Sequence, residues 1–193
     1  MIIIVARYNE NIKWTKQFQN VLIYNKGEKL EDGYNEILLE NVGREGHTYY
    51  KYISDNYDNL EDYIIFLQGE PFYHSPNIMK NLLNFVSLYC YKNKELNIDF
   101  EFLSEKIIYS SLELEILYNT QCKNLYKTIE KIFGVNYHMN ECIFGAGAQF
   151  IVSRNQILKK PKEFYENIVK ILDYTIDPDQ GYDIERLHKY IFS

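Results

Sequence analysis

DYIIFLQGEPFYH, residues 62–74, joins the most apolar run of the chain to a polar turn. Residues 63–67 (YIIFL) show no polar alternation, the mark of a strand buried on both faces. A strand of that kind belongs to a sheet covered by helices. Residues 1–6 (MIIIVA) form a similar run, followed by the turn RYNEN. Shorter runs occupy residues 21–24, ended by Asn25-Lys26-Gly27, and residues 36–40, followed by NVGREGH. Helical spacing is loose over residues 12–20 (Ile12, Trp14, Phe18) and clear over 47–57, where Tyr49, Tyr52 and Ile53 share a face. This β-α-β-β-α-β order predicts an α/β fold, a single domain over residues 1–193 with a mixed, mostly parallel sheet flanked by helices. In such sheets ligands bind beyond the carboxyl ends of the strands. The turns RYNEN, NVGREGH and QGEPFYH then converge on one edge.

The second half reads as more helical. Residues 76–93 carry Ile78, Leu82, Phe85, Val86 and Tyr89 at helical spacing, capped by Ser75 or the turn before it. Short strands are expected around 99–103 and 107–109. A helix over 119–133 stops at Gly134. Residues 142–153 (CIFGAGAQFIVS) read as one strand with small residues at its middle. A short helix follows over 154–160, Pro161 opens the next, and a last helix starts near Gly181.

Composition narrows the classes. The chain has 193 residues, 46% hydrophobic and 25% charged, which are globular values. Its net charge of −6 argues against a nucleic-acid binder, which needs an excess of Lys and Arg. No apolar run approaches the roughly 20 residues of a membrane span. Three cysteines without CxxC spacing fit a reducing compartment and a cytoplasmic location. Cys90 and Cys122 lie in apolar helical patterns and are expected in the core. Nineteen Tyr and eleven Phe leave two readings open, AT-rich codon usage or a stacking surface for sugars or bases.

Five constellations can carry chemistry. Arg7, Asn9 and Glu10 follow the first strand, where they can bind a base or ribose or simply form a solvated turn. Asn41, Gly43 and Arg44 lie in a glycine turn before a helix, a place for an anion and a bidentate arginine. The alternative is a tight turn whose arginine pairs with a surface carboxylate. Gln68, Gly69, Glu70 and His74 follow the best strand. Glu70 and His74 can hold Mn²⁺ or Mg²⁺ with help from a substrate phosphate, or sit in a turn fixed by Pro71 with His74 capping the next helix. Gly147 and Gln149 lie among small residues that leave room for a ligand or for close helix packing. Glu185, near the C-terminus, can act as a general base. Asp183 and Arg186 read as an ordinary surface pair, and Asp177-Pro178-Asp179 as a loop turn.

Taken together, VARYNE, NVGREGHTYYKYI, DYIIFLQGEPFYH, GAGAQFIVSR and ERLHKYIF resemble the DUF3431 family over nearly the whole chain. The layout also looks like a small GT-A glycosyltransferase, a nucleotide-diphospho-sugar transferase. That resemblance implies a UDP- or GDP-linked sugar donor, a glycan or protein acceptor, a nucleotide-binding N-terminal half and an acceptor-side C-terminal half. It implies that residues 6–10 grip the nucleotide, that Gln68-Gly69-Glu70 take the place of an acidic metal motif, that residues 147–154 line the acceptor side, and that Glu185 is the base. No DxD follows the strand at 63–67. Either Glu70 and His74 replace it, or the mechanism is metal-independent, with Arg44, Arg154 or Arg186 stabilising the leaving diphosphate. The same departure implies an alternative, a non-catalytic glycan- or protein-binding descendant of the fold.

Overall fold

A computed structural model describes residues 1–31, 33–92 and 95–193. The first half holds β1 (Ile2–Arg7), β2 (Val21–Asn25), β3 (Glu36–Leu38), α1 (Arg44–Asp55) and β4 (Tyr63–Gln68). The second holds α2 (Ile78–Tyr91), β5 (Phe100–Phe102), β6 (Ile107–Ser111), α3 (Leu112–Tyr118), α4 (Leu125–Phe133), β7 (Glu141–Gly145), β8 (Phe150–Ser153), α5 (Arg154–Ile157), α6 (Lys162–Leu172) and α7 (Asp179–Ile191). A six-stranded sheet has the order β3-β2-β1-β4-β8-β5, and β6 pairs with β7 in a small second sheet. β1 to β4 are mutually parallel and β8 runs antiparallel between β4 and β5. The mixed, mostly parallel sheet expected from the apolar runs is therefore present.

Alternate side chains of the central strands feed two cores. Ile4, Ile64, Phe66, Phe150 and Val152 face α1, α6 and α7. Ile3, Val5, Ile65, Leu67 and Ile151 face Trp14 and the Ile78 and Leu82 of α2. Burying each such side chain contributes roughly 1.5–3 kcal/mol, which is why both faces of β1 and β4 are apolar. The aromatic excess goes largely into the first core, where Tyr50 stacks near Tyr165, His188 and Phe192. No helix among the described residues is long and apolar enough to cross a membrane.

Several local expectations are corrected. Residues 12–20 form only a 3-10 turn, Lys13–Gln17. α1 begins at Arg44, three residues before the apolar spacing starts. α2 is capped at Asn77, while the Ser75 hydroxyl donates to Leu103 O; Asn93, the expected end of this helix, lies outside the described residues. The helix expected over 119–133 is preceded by a separate one, because the Ser111 hydroxyl caps α3 by accepting from Leu114 N. Residues 142–153 are two strands of different sheets. Gly147 at φ +85° and Ala148 at φ +52° reverse the chain between them, a geometry no strand contains. Cys90 is exposed, since α2 packs through Ile78 and Leu82 and turns Cys90 outward; Cys122 and Cys142 are buried.

The expected surface pair of Asp183 and Arg186 is also overturned. Asp183 is fully buried and accepts from Thr128 Oγ1 at 2.5 Å. Arg186 instead pairs with Glu115 at 3.2 Å and Glu185 at 2.6 Å. Burial pushes the Asp183 carboxyl up to about 6. A carboxyl raised on folding stabilises the native state below its unfolded value and loses that contribution as pH rises through 6. Asp183→Asn should therefore add about 2 kcal/mol of stability at pH 7 and almost none near pH 4. Urea unfolding at the two pH values reads the difference, and an equal effect at both would show that the carboxyl ionises freely.

Candidate functional site

The parallel strands end in line: Ala6 pairs with Tyr24 and with Gln68, and Arg7 with Asn25. The chain leaves β1 toward β2 on one side, while β4 lies on the other, so a crevice opens at this reversal of strand order. A cavity of about 510 Å³ occupies it, within the size range of small-ligand sites. Three turns line it, as expected: Arg7, Tyr8 and Glu10 after β1, Asn41, Arg44 and Glu45 after β3, and Gln68 and Glu70 after β4. Lys26, after β2, and Ile176 with Asp177, before α7, complete the wall.

Arg7 lines the cavity but spends its guanidinium on the protein. Its Nε donates to Glu10 O, and Nη1 to Tyr8 O, Glu28 O and Asn25 Oδ1, the last at 2.6 Å. It clamps the loop after β1 onto the loop after β2. Asn9 joins the same clamp by accepting from Glu28 N, and lies outside the lining. Glu10 accepts from Tyr8 N at 2.6 Å and presses on Gly69, where a Cβ would stand 2.7 Å from Glu10 Oε2. Gly69 is thus where the loops after β1 and β4 approach closely.

The turn after β3 is the most constrained part of the wall. Gly43 sits at φ +67° and Arg44 at φ +53°, two left-handed residues in succession. A Cβ at Gly43 would lie 2.9 Å from Leu172 O, so position 43 admits only glycine. Arg44 rests 4.1 Å over the Tyr182 ring and pairs with Asp177 at 3.2 Å. The first N–H groups of α1 open beside it, at the positive end of the helix dipole. Glu45 lies 3.7 Å from Arg44 Nε. Burial raises its carboxyl, with Arg44 pulling the other way.

Glu70 lines the cavity; His74 does not, and its ring packs where a Gly147 Cβ would lie, 2.6 Å from Cδ2. Among the described residues no group of three or more His, Cys, Asp or Glu side chains is placed to hold a metal. Gly147 N donates to Glu185 Oε1 at 2.7 Å, and Glu185 Oε2 accepts from Arg186 at 2.6 Å. Gln149 is buried and donates to Pro71 O. These residues form the shoulder beside the cavity and not its lining. Arg154 pairs with Asp62 at 2.8 Å, at the opposite end of the sheet, because β8 is antiparallel to β4. Arg186 is held by Glu115 and Glu185. Of the three arginines weighed for a diphosphate, Arg44 alone reaches the cavity.

Sequence spacing marks Lys26 only as a strand terminator and reads Asp177 as part of a loop turn. A lone basic residue directly after a parallel strand was the available sign for Lys26.

Fold and crevice define an α/β protein with a cavity at the carboxyl edge of its parallel strands. The chain belongs to the family described as Protein of unknown function (DUF3431), matched over residues 2–193. No curated protein and no solved structure matches it.

Proposed function

We propose that this protein is a glycosyltransferase of GT-A-like layout, moving a sugar from a nucleotide-diphosphate sugar to an acceptor hydroxyl. The observation that carries the reading is the position of Arg44: a cation on a left-handed turn, at the N-terminus of α1, inside a crevice at the reversal of strand order. That arrangement suits a diphosphate. Glu10 and Glu70 supply acceptors for ribose and sugar hydroxyls, and Tyr8, half exposed at the rim, offers a face for a base.

In the transfer, the bond from the sugar's C1 to the diphosphate breaks with its electron pair on the leaving oxygen. Stabilising that charge dominates the barrier, and the task falls to Arg44 and the α1 terminus. Asp177, which pairs with Arg44, is well exposed and free to swing aside for a phosphate. The acceptor hydroxyl oxygen bonds to C1 as the bond to the diphosphate breaks, and its proton passes to Glu45, the base here in place of Glu185. Glu185 is occupied by Gly147 and Arg186, whereas Glu45 lines the cavity and is made more basic by burial. Glu70 is the one residue of the expected metal pair in reach of substrate, so no step runs through a metal.

Arg44→Ala should weaken UDP or GDP binding by about 1.5–3 kcal/mol, the scale of hydrogen bonds to a charge. The reading itself is tested by thermal stabilisation with UDP-, GDP-, CMP- and TDP-sugars, with and without Mn²⁺. A ligand at 100 times its Kd should add about 2.7 kcal/mol. Silence across the panel with folded protein would overturn the transferase reading. A second reading, a non-catalytic glycan-binding descendant, is favoured by the engagement of Glu185. Glycan binding without any response to nucleotides would select it.

A further inference from the structure

Lys26 is buried, yet among the described residues its ammonium faces no carboxylate at contact distance. Instead Nζ donates at 2.5 Å to both Val42 O and Arg44 O. Those two carbonyls bracket the left-handed pair Gly43–Arg44. A non-glycine residue in that conformation costs roughly 1–2 kcal/mol, so the turn needs an external hold. Among the described residues, the backbone bond from Gly43 N to Thr175 O secures its first half. Lys26 secures the second, across the sheet from a different strand.

We infer that Lys26 is a positioning residue for anion binding: its charged ammonium grips both ends of the Gly43–Arg44 turn and so sets the Arg44 guanidinium toward a diphosphate in the crevice. This rests on the diphosphate site proposed above, although not on catalysis there. The groups facing Lys26 are Glu45 and Asp173, which favour its charge, and His47, which does not. Burial outweighs the two carboxylates and lowers the Lys26 ammonium to about 8. The grip is full below that pH and fades as pH rises through it. Pyrophosphate gains charge over the same range, so its own ionisation would push affinity the other way.

The test uses inorganic pyrophosphate and the full chain at pH 7. Lys26→Met should weaken pyrophosphate binding about tenfold or more, the scale of a charged hydrogen bond, and Lys26→Arg should restore part of it. In an Arg44→Ala background Lys26→Met should have little further effect, because Lys26 acts through Arg44. Additive losses would mean that Lys26 touches the anion directly, and would overturn the inference. A ligand-free readout guards against misfolded variants. In the wild type, the carbonyl carbon resonances of Val42 and Arg44 should shift together with a midpoint near pH 8. The same titration persisting in folded Lys26→Met would overturn it as well. Failure of folded wild type to bind pyrophosphate at all would remove the diphosphate site itself, and this inference with it. Binding with an additive cycle would remove the inference alone.

Discussion

Gly27→Ala should lower stability by at least about 4 kcal/mol, an unusually large cost for one methyl group. A Cβ at position 27 would lie 1.7 Å from Tyr8 O and 2.3 Å from Asn9 Oδ1. The Tyr8 carbonyl has no room to yield, because Arg7 Nη1 holds it at 3.0 Å while also binding Asn25 and Glu28. Gly27 N is meanwhile tied to Asn25 Oδ1. Any displacement therefore opens the clamp between the loops after β1 and β2 and leaves buried acceptors unpaired, each costing about 1–3 kcal/mol. Gly33→Ala is the control. Gly33, unlike Gly27, sits at a positive φ, +97°, but among the described residues a Cβ there meets nothing within 4 Å. Its cost should stay near 1–2 kcal/mol. Equal urea midpoints for the two variants would show that the loops do not interlock.

The second large effect is acid lability centred on His188. Its Nδ1 is hydrogen-bonded to Tyr50 OH at 2.7 Å, its Nε2 has no partner among the described residues, and Tyr49, Tyr50 and Phe150 surround the ring. Burial lowers its pKa to about 3. The unfolded chain therefore takes up a proton first as pH falls. The contribution of neutral His188 is complete above about 6.5 and is lost progressively toward pH 3. Between pH 7 and pH 4 the loss is about 3 kcal/mol. His188→Gln keeps a polar partner for Tyr50 and cannot titrate, so its stability should fall by that much less over the same interval. His47, lowered to about 4 by burial, is present in both proteins and cancels in the comparison. Parallel stability–pH curves for wild type and variant would show that the ring is protonated in the folded state.

These two effects mark where the sequence stops being readable. Nothing in the spacing of His188 separates a buried ring from an exposed one three residues after Glu185. Its environment is made by α1 and β8, distant in the chain. Gly27 looks like an ordinary turn glycine until the loop after β1 is laid over it.

What the sequence determined by itself is the sheet and its working edge. The unbroken apolar runs at β1 and β4 demand cover on both faces, and that demand imposes helical layers and parallel strands. Polar turns at the ends of those strands are then gathered at one edge by chain direction alone. Arg7, Glu10, Asn41, Arg44, Gln68 and Glu70 were legible for that reason, and all six line the cavity. Tertiary structure decided how each side chain is used. Arg7 is consumed by carbonyls brought in from β2, and Glu185 by the backbone of Gly147. Lys26 becomes part of the wall because β2 lies beside β1, and Arg154 leaves it because β8 runs backwards. Hydrogen bonds between residues far apart in sequence follow from the packing of whole elements, which no local pattern records.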